Sequence, residues 1–175
     1  MKLGRHIDFK FCPMCASVLV EGPIDGAMRR YCEKCGWIHY LNPVVVVCII
    51  AHCGEKVVLI KRGIEPEKGE WSLPGGFVDV LEEPCKAATR ELEEEAGVLG
   101  ENFPIIDAVH QDSPRYTSVI VIGYEVAFDK EEPLVAGDDA VDAKWVDISE
   151  VQSLPFDSFN KIFGKWKKLR IVNNK

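Results

Sequence analysis

The chain has 175 residues, enough for one full-sized core and a small additional unit. Apolar residues make up 47% of it and charged residues 28%, which is typical of a folded globular protein and excludes a disordered chain. The formal net charge of −7 argues against a general nucleic-acid or membrane-surface binder.

The beginning of the chain has no recognisable targeting segment. Residues 1–8 lack the apolar core and the small-residue cleavage site of an export signal. The longest apolar run, Val44 to Ala51, is too short to cross a bilayer and predicts a buried strand. We therefore expect a cytoplasmic protein with no membrane partner.

Residues 1–40 are predicted to form a small separate domain. They contain two cysteine pairs with the spacing Cys12-x2-Cys15-x16-Cys32-x2-Cys35, and few large apolar side chains. Such a segment needs a staple to fold, and in a chain without an export signal CxxC pairs more often bind metal than form disulfides. The spacing predicts a zinc ribbon in which four thiolates hold one structural Zn²⁺, with free thiols or disulfides as the alternatives.

Residues 41–175 are predicted to form an α/β domain. The strands are expected at Val44–His52, Lys56–Lys61, Asn102–His110, Ser118–Phe128 and Ala143–Ile148, and Trp71–Val80 is expected to be irregular. Pro84–Ala96 is predicted to be a helix because Pro84 suits the first turn and Gly97 the position after the last. Alternating strands with two helices predict a mixed sheet between helical layers.

The last part of the chain is predicted to be helical from Ser149. Its apolar side chains recur at helical spacing and indicate a packing face: Phe156, Phe159, Ile162, Phe163, Trp166 and Leu169.

Three carboxylates are predicted to share one sector of the helix Pro84–Ala96, namely Glu91, Glu94 and Glu95. Like charges at this spacing destabilise a helix by a few tenths of a kcal/mol per pair, and a divalent cation would compensate for that. Oxygen ligands of this kind favour Mg²⁺ or Mn²⁺ over zinc. A solvated acidic face is the alternative. The glycine-rich loop before the helix and the position of Glu82, available to Arg90, favour a metal site.

The segment Gly76–Val98 resembles the signature of the Nudix family. It matches G-x5-E-x7-R-E-U-x-E-E-x-G-U, where U is aliphatic, at every fixed position. Lys61-Arg62, Trp71–Gly76 and Asp138–Trp145 also look like their Nudix counterparts, so the resemblance covers about residues 41–170. It implies an α/β/α sandwich that hydrolyses nucleoside diphosphates linked to another moiety, with Mg²⁺ or Mn²⁺ as cofactor.

The resemblance also implies roles for individual residues. The metal ligands would be Glu91, Glu94, Glu95 and the carbonyl of Gly76, while Glu82 and Arg90 would brace the loop and helix. The general base would be Asp139, which occupies the place of a family glutamate but is one methylene shorter; a glutamate of the signature is the alternative. Substrate contacts are expected from Arg62, Arg115 and Tyr116.

A ribbon followed by a Nudix domain resembles the NADH pyrophosphatases and a shorter group that includes FAD and ADP-ribose pyrophosphatases. Gln111–Ser118 does not match the Ser-Gln-Pro-Trp-Pro-Phe-Pro run of the NADH enzymes, and Pro114 fits ADP-ribose-cleaving members. We therefore expect FAD or ADP-ribose, before NADH, to be cleaved with release of AMP.

Two other functions remain open from the sequence. One is a house-cleaning pyrophosphatase for oxidised nucleoside triphosphates, and the other is a non-catalytic nucleotide-sensing regulator. The expected partner is a small nucleotide, not a nucleic acid, because Arg29, Arg30 and Lys34 form too small a basic patch. A homodimer is compatible with the sequence, which does not decide the oligomeric state.

Overall fold

The computed structural model describes residues 9–173, which form two compact units. One comprises the described residues up to Pro43 together with Asp112–Ser118. The other comprises Val44–Gln111 and the residues from Val119 onward. Within residues 9–173, no helix is both long and apolar enough to cross a membrane.

The smaller unit contains a two-stranded antiparallel sheet of β1 (Val20–Ile24) and β2 (Ala27–Tyr31). Its only cluster of buried apolar residues among those described consists of Cys12, Leu19 and Cys32, with Cys15 and Trp37 packed against it. A core of this size buries little apolar area, so the unit needs a further staple, as the sequence predicts.

A six-stranded mixed sheet is the centre of the larger unit. The strand order is β5-β4-β3-β7-β6, and β8 also pairs with β4. The strands are β3 (Val44–Cys53), β4 (Lys56–Arg62), β5 (Trp71–Ser72), β6 (Ile105–Ser113), β7 (Thr117–Ala127) and β8 (Ala140–Asp147). Because β3 runs parallel to β7 and antiparallel to β4, the prediction of a mixed sheet is confirmed.

The predicted starts of β6 and β8 were wrong, β6 ends at Ser113 instead of His110, and one short strand was not predicted. β6 starts at Ile105 and not at Asn102, whose positive φ of 56° is incompatible with a regular strand. β8 starts at Ala140, because a register shift at the end of β4 lets Arg62 pair with that residue. The short strand β5 lies inside the segment that was expected to be irregular.

The helix α1 (Pro84–Ala96) covers one face of the sheet and has the predicted bounds. Gly97 ends it in the left-handed conformation, with φ of 70°, and donates its N–H to the carbonyl of Glu93. Ala88, Leu92 and Ala96 are fully buried in a cluster with side chains of β3, β4 and β7. The apolar stripe of α1 is therefore the face that fixes the helix on the sheet.

The helix α2 (Asp157–Asn173) packs against the opposite face of the sheet, because Ile162 lies against Gly123 of β7, whereas the adjacent Ile122 and Tyr124 belong to the cluster with α1. A Cβ atom at Gly123 of β7 would lie 2.2 Å from Ile162, so the helix approaches the strand closely only because this position is glycine. The prediction that the helix starts at Ser149 was wrong, since Pro155 cannot continue a helix from the preceding residues. Leu169 is 45% exposed and does not belong to the packing face.

A polar cluster fastens the C-terminal half of α2 to the sheet. Oε1 of Glu125 accepts hydrogen bonds from Nε1 of Trp166 at 2.8 Å and Nε2 of His52 at 2.9 Å. The other ring nitrogen of His52 lies 3.5 Å from Arg170, which also donates to the carbonyl of Gly54 at 2.8 Å. Burial lowers the pKa of His52; the charge of Glu125 opposes this and that of Arg170 adds to it. A neutral His52 ring with its proton on Nε2 can donate to Glu125 and accept from Arg170.

Candidate active site

Arg90 of α1 is the centre of a carboxylate cluster in front of the helix. Its Nε and Nη2 bind the two oxygens of Glu82 at 2.9 and 3.0 Å. Its Nη1 donates to Oε1 of Glu91 at 2.8 Å and to Oε2 of Glu94 at 3.0 Å, and Nη2 also reaches the carbonyl of Phe77 at 3.0 Å. One guanidinium thus connects three predicted site carboxylates with residues 74–78, which we call the glycine loop.

Glu82 is held in its charged form. The hydrogen bonds from Arg90 and, next, the N–H of Asp79 lower the pKa of Glu82 to about 2. Oε2 of Glu82 accepts that N–H at 2.9 Å, so the carboxylate ties the loop before the helix to the helix itself. A bidentate pair of this kind fixes orientation as well as charge.

Glu95 is the most buried carboxylate of the cluster, with 3% of its surface exposed. Its Oε2 accepts the N–H of Gly75 at 2.8 Å. Burial is the main cause that raises the pKa of Glu95 to about 8, and the negative charges of Glu91 and Asp139 also raise it. The hydrogen bond from Gly75 and the positive charge of Arg62 act in the opposite direction. These residues therefore lie within electrostatic reach of one another.

Glu91 is also buried, whereas the Glu94 side chain is 43% exposed. Burial raises the pKa of Glu91, the Arg90 hydrogen bond opposes this, and the charges of Glu94 and Asp138 add to it. Glu91 lies so close to the glycine loop that a Cβ atom at Gly76 would be 2.3 Å from its Oε1. The glycine is required here by the carboxylate, not by the backbone conformation.

The glycine loop runs along β3 as an additional strand. Val47 donates to the carbonyl of Gly76 at 2.9 Å, Ile49 donates to that of Pro74 at 2.9 Å, and Val78 donates to that of Val45 at 3.0 Å. The carbonyl of Gly75 receives no hydrogen bond from the residues the structure describes. Among the described residues, the carbonyl of Gly76 is therefore used by β3, whereas that of Gly75 is available to a ligand.

The loop before β8 packs against the end of α1. Val135 donates its N–H to the carbonyl of Ala96 at 2.9 Å, and a Cβ at Gly137 would lie 2.7 Å from the carbonyl of Glu94. This close approach brings Asp138 and Asp139 near the carboxylates of α1. Sequence reasoning selected Asp139 and missed Asp138, whose φ of 48° is unusual for a residue other than glycine.

Arg62 lies at the end of β4, where the register shift occurs. Its Nε donates to the carbonyl of Pro66 at 2.8 Å, and its guanidinium carbon is 5.2 Å from the ring centroid of Phe156. Arg115, by contrast, stacks on Tyr116 at 5.2 Å, and both belong to the segment Asp112–Ser118 of the smaller unit. Their predicted substrate contacts remain predictions.

The carboxylates fit a divalent cation by their chemistry. Within residues 9–173, Oε2 of Glu91, Oε1 of Glu94 and Oε1 of Glu95 receive no hydrogen bond. Open carboxylate oxygens beside an open carbonyl are the ligands that Mg²⁺ and Mn²⁺ prefer. The oxygens of these three carboxylates lie farther apart than the sulfurs of the four cysteines. Among the described residues, only these four cysteines have their ligand atoms all within 4.8 Å of one another.

The four cysteines of the smaller unit do converge on one point. The Sγ atoms of Cys12 and Cys35 are 3.5 Å apart, those of Cys15 and Cys32 are 3.4 Å apart, and all four lie within 4.8 Å of one another. None of these four cysteines forms a disulfide bond. Hydrogen bonding to Ser17 lowers the pKa of Cys15 to about 6. Four sulfurs so arranged are compatible with a tetrahedral zinc ion.

Comparison with known proteins gives three results. The family model of the NUDIX domain matches residues 40–167. The ADP-ribose pyrophosphatase of Methanocaldococcus jannaschii is 35% identical over 131 residues, which is 73% of this chain and 77% of that protein. The NAD-capped RNA hydrolase NudC of Salmonella heidelberg is 25% identical over 147 residues, 83% of this chain but 54% of NudC, so the chain spans about half of that relative.

A solved structure agrees with these matches. The crystal structure of a NUDIX hydrolase from Nitrosomonas europaea superposes with a TM-score of 0.67 at 26% identity, over 88% of each chain. The α/β/α arrangement predicted from the signature is therefore confirmed.

Proposed function

Because the chain belongs to the NUDIX hydrolase family, we propose that it cleaves the pyrophosphate bond of ADP-ribose, with Mg²⁺ or Mn²⁺ as cofactor. Water and ADP-ribose would yield AMP and ribose 5-phosphate, so that each half leaves with one phosphate. FAD and then NADH are the next candidates. The observation that carries the reaction class is the group of open carboxylate oxygens organised by Arg90 on α1.

The proposed metal ligands are Glu91, Glu94 and Glu95. The open carbonyl of Gly75 supports this residue, instead of Gly76, as the backbone ligand. A divalent ion held there would supply positive charge to the diphosphate and would make the attacking water more acidic. Arg90 keeps two of the carboxylates oriented and, through its pair with Glu82, fixes them relative to the loop.

The remaining roles fall to residues around the cluster. Asp139 is proposed to accept the proton of the attacking water, and Asp138 is the competing acid on the same loop. Arg62 is proposed to bind a phosphate oxygen, since its two terminal nitrogens make no hydrogen bond within residues 9–173. The variants Asp138→Asn and Asp139→Asn distinguish the two candidates for the general base. The substitution of the true base should lower kcat more than the other substitution does.

The direct test is AMP release from ADP-ribose by the purified chain with Mg²⁺, followed by chromatography. Glu94→Gln and Glu95→Gln should each lower turnover by orders of magnitude. Glu93→Gln is the matched control, because Glu93 is an exposed glutamate of the same helix without a place in the site. No hydrolysis of any dinucleotide or ADP-sugar would contradict the proposal and favour a nucleotide-binding regulator.

The substrate is tested separately from the reaction class. ADP-ribose, FAD, NADH and 8-oxo-dGTP are compared by kcat/KM with the same enzyme and metal. If kcat/KM for 8-oxo-dGTP exceeded that for ADP-ribose and for every dinucleotide by about tenfold, roughly 1.4 kcal/mol in transition-state binding, the house-cleaning function would replace the proposed one.

The four cysteines are proposed to hold one structural Zn²⁺. Their convergence and the small apolar core around them support this role.

A further inference from the structure

Arg62 is held in place by the loop that follows it. The end of this loop, residues 63–70, is hydrogen-bonded to the backbone of Arg62. The N–H of Arg62 donates to the carbonyl of Glu70 at 3.0 Å, and the carbonyl of Arg62 accepts the N–H of Gly69 at 2.8 Å. Within this loop, the carbonyl of Pro66 accepts the Nε–H of Arg62. One side of the guanidinium is therefore fixed by backbone atoms of its own loop.

The second support of Arg62 comes from the segment before α2. The ring of Phe156 lies against the guanidinium, at 5.2 Å from its central carbon to the ring centroid. Phe156 is itself held by an edge contact with Phe159, 5.1 Å between centroids, and Phe159 is only 4% exposed. The ring is thus connected to the buried face of α2.

Asn160 fixes the backbone that carries this ring. Its side-chain amide donates to the carbonyls of Leu154 and Phe156 at 2.7 and 3.0 Å, and its oxygen accepts the N–H of Leu154 at 2.8 Å. One side chain of α2 therefore clamps the preceding turn on both sides. The backbone that carries Phe156 is therefore fixed, and its ring lies between Phe159 and Arg62.

From this geometry we propose that Phe156 is a positioning residue that holds the guanidinium of Arg62 ready to bind the substrate diphosphate. The inference rests on the proposed function, in which Arg62 contacts a phosphate. A free arginine side chain loses much rotational freedom when it binds an anion, and a side chain that is already ordered loses less. The two terminal nitrogens remain available as a pair of parallel donors, which suits phosphate oxygens.

The first experiment observes Arg62 directly, without substrate. The Nε–Hε signal of Arg62, assigned by its loss in Arg62→Lys, should be ordered and protected in the full chain. Phe156→Leu should shift the signal and lower its order parameter, while Phe156→Tyr keeps the ring and should preserve both. Phe163→Leu is the control for the loss of a ring at a different cation, because the partner of Phe163 is Lys167; this ring is more deeply buried, at 3% exposed, so both variants are compared at a temperature where they are folded.

The second experiment measures hydrolysis of ADP-ribose with Mg²⁺. Because the Arg62 guanidinium of Phe156→Leu must be ordered when substrate binds, KM should rise by about two- to tenfold with kcat unchanged. Arg62→Ala should raise KM more, and adding Phe156→Leu to it should have no further effect, because both act through one guanidinium. Phe156→Tyr should restore the KM of the unaltered chain. If Phe156→Leu does not fold, Phe156→Met serves as the second variant.

The outcomes separate the two proposals. An Arg62 signal that is unchanged in Phe156→Leu overturns the positioning role, whatever the substrate. A signal that responds, together with a KM insensitive to Arg62→Ala, overturns the role of this pair in substrate binding. Absence of hydrolysis in the unaltered chain contradicts the proposed function alone, since the signal of Arg62 still decides whether Phe156 positions it.

Discussion

Replacing Gly76 with alanine should remove most of the activity while the fold is retained. A Cβ atom at Gly76 would lie 2.3 Å from Oε1 and 2.5 Å from Oε2 of Glu91, far inside van der Waals contact. The three atoms nearest to the new methyl group all belong to the end of the flexible Glu91 side chain, and the φ of Gly76 is outside the left-handed region. The carboxylate of Glu91 must therefore move, whereas the backbone can stay.

The expected loss of stability is small. Glu91 loses its hydrogen bond with Arg90, and hydrogen bonds to charged groups contribute about 1.5–3 kcal/mol. The Arg90 side chain is 30% exposed, which places this bond at the lower limit. Alanine returns about 0.4–1 kcal/mol by restricting the unfolded chain. The net cost is about 1 kcal/mol, or a decrease in Tm of roughly 2–4 °C for a chain of this size.

The expected loss of activity is much larger. A catalytic group displaced by about 1 Å lowers the rate by roughly 100-fold, so kcat/KM should fall at least that far. Gly75→Ala is the control, because a Cβ there would lie 2.2 Å from the carbonyl of Val47, which is backbone and cannot turn away. That variant should lose stability as well as activity. Thermal unfolding and kcat/KM are measured together, and a Gly76→Ala enzyme within threefold of normal activity would refute the reasoning.

Three further predictions concern the rest of the chain. Elemental analysis should find about one zinc per chain, and Cys32→Ser should expose the smaller unit to protease while the larger unit stays folded; a disulfide formed under reducing conditions would contradict this. Burial lowers the pKa of His52 in the folded chain from its ordinary value of 6.5. The stability that the neutral His52 ring contributes is therefore fully present above pH 6.5 and is lost as the pH falls through the lowered pKa. His52→Gln should flatten this dependence, as should Arg170→Gln in part; an unchanged pH profile would exclude the cluster as its source. Gly123→Ala should lower Tm by several degrees, because the methyl group overlaps Ile162, and an unchanged Tm would show that the helix can shift.

The helix of the candidate site was predictable because its signals are local. Pro84 and Gly97 mark its two ends, and the spacing of the glutamates decides which of them share a sector. The contacts of Arg90 with Glu82 and Glu94 also follow from short separations along the chain. Sequence reasoning succeeds where a single helix and the loop before it determine the geometry.

Other features depend on contacts that no local pattern contains. The apolar spacing of α2 continues before Asp157, so the sequence predicted an earlier start of the helix. The chain turns there instead, because Pro155 interrupts the helix and the side chain of Asn160 is hydrogen-bonded to the carbonyls of Leu154 and Phe156. The support of Arg62 by Phe156 joins β4 to the segment before α2, far apart in the chain. Only the packed structure brings them together.

The pairing of the glycine loop with β3 has a consequence for the motions of the site. Amides of Val47 and Ile49 in the central strand point to loop carbonyls, so the loop cannot leave without breaking the ladder of a buried strand. Hydrogen exchange at these amides should therefore be as slow as in the core, with an opening free energy close to that of global unfolding. A loop of this kind does not act as a gate. Opening of the glycine loop should therefore not limit turnover, and any motion that does limit it is expected in another part of the chain.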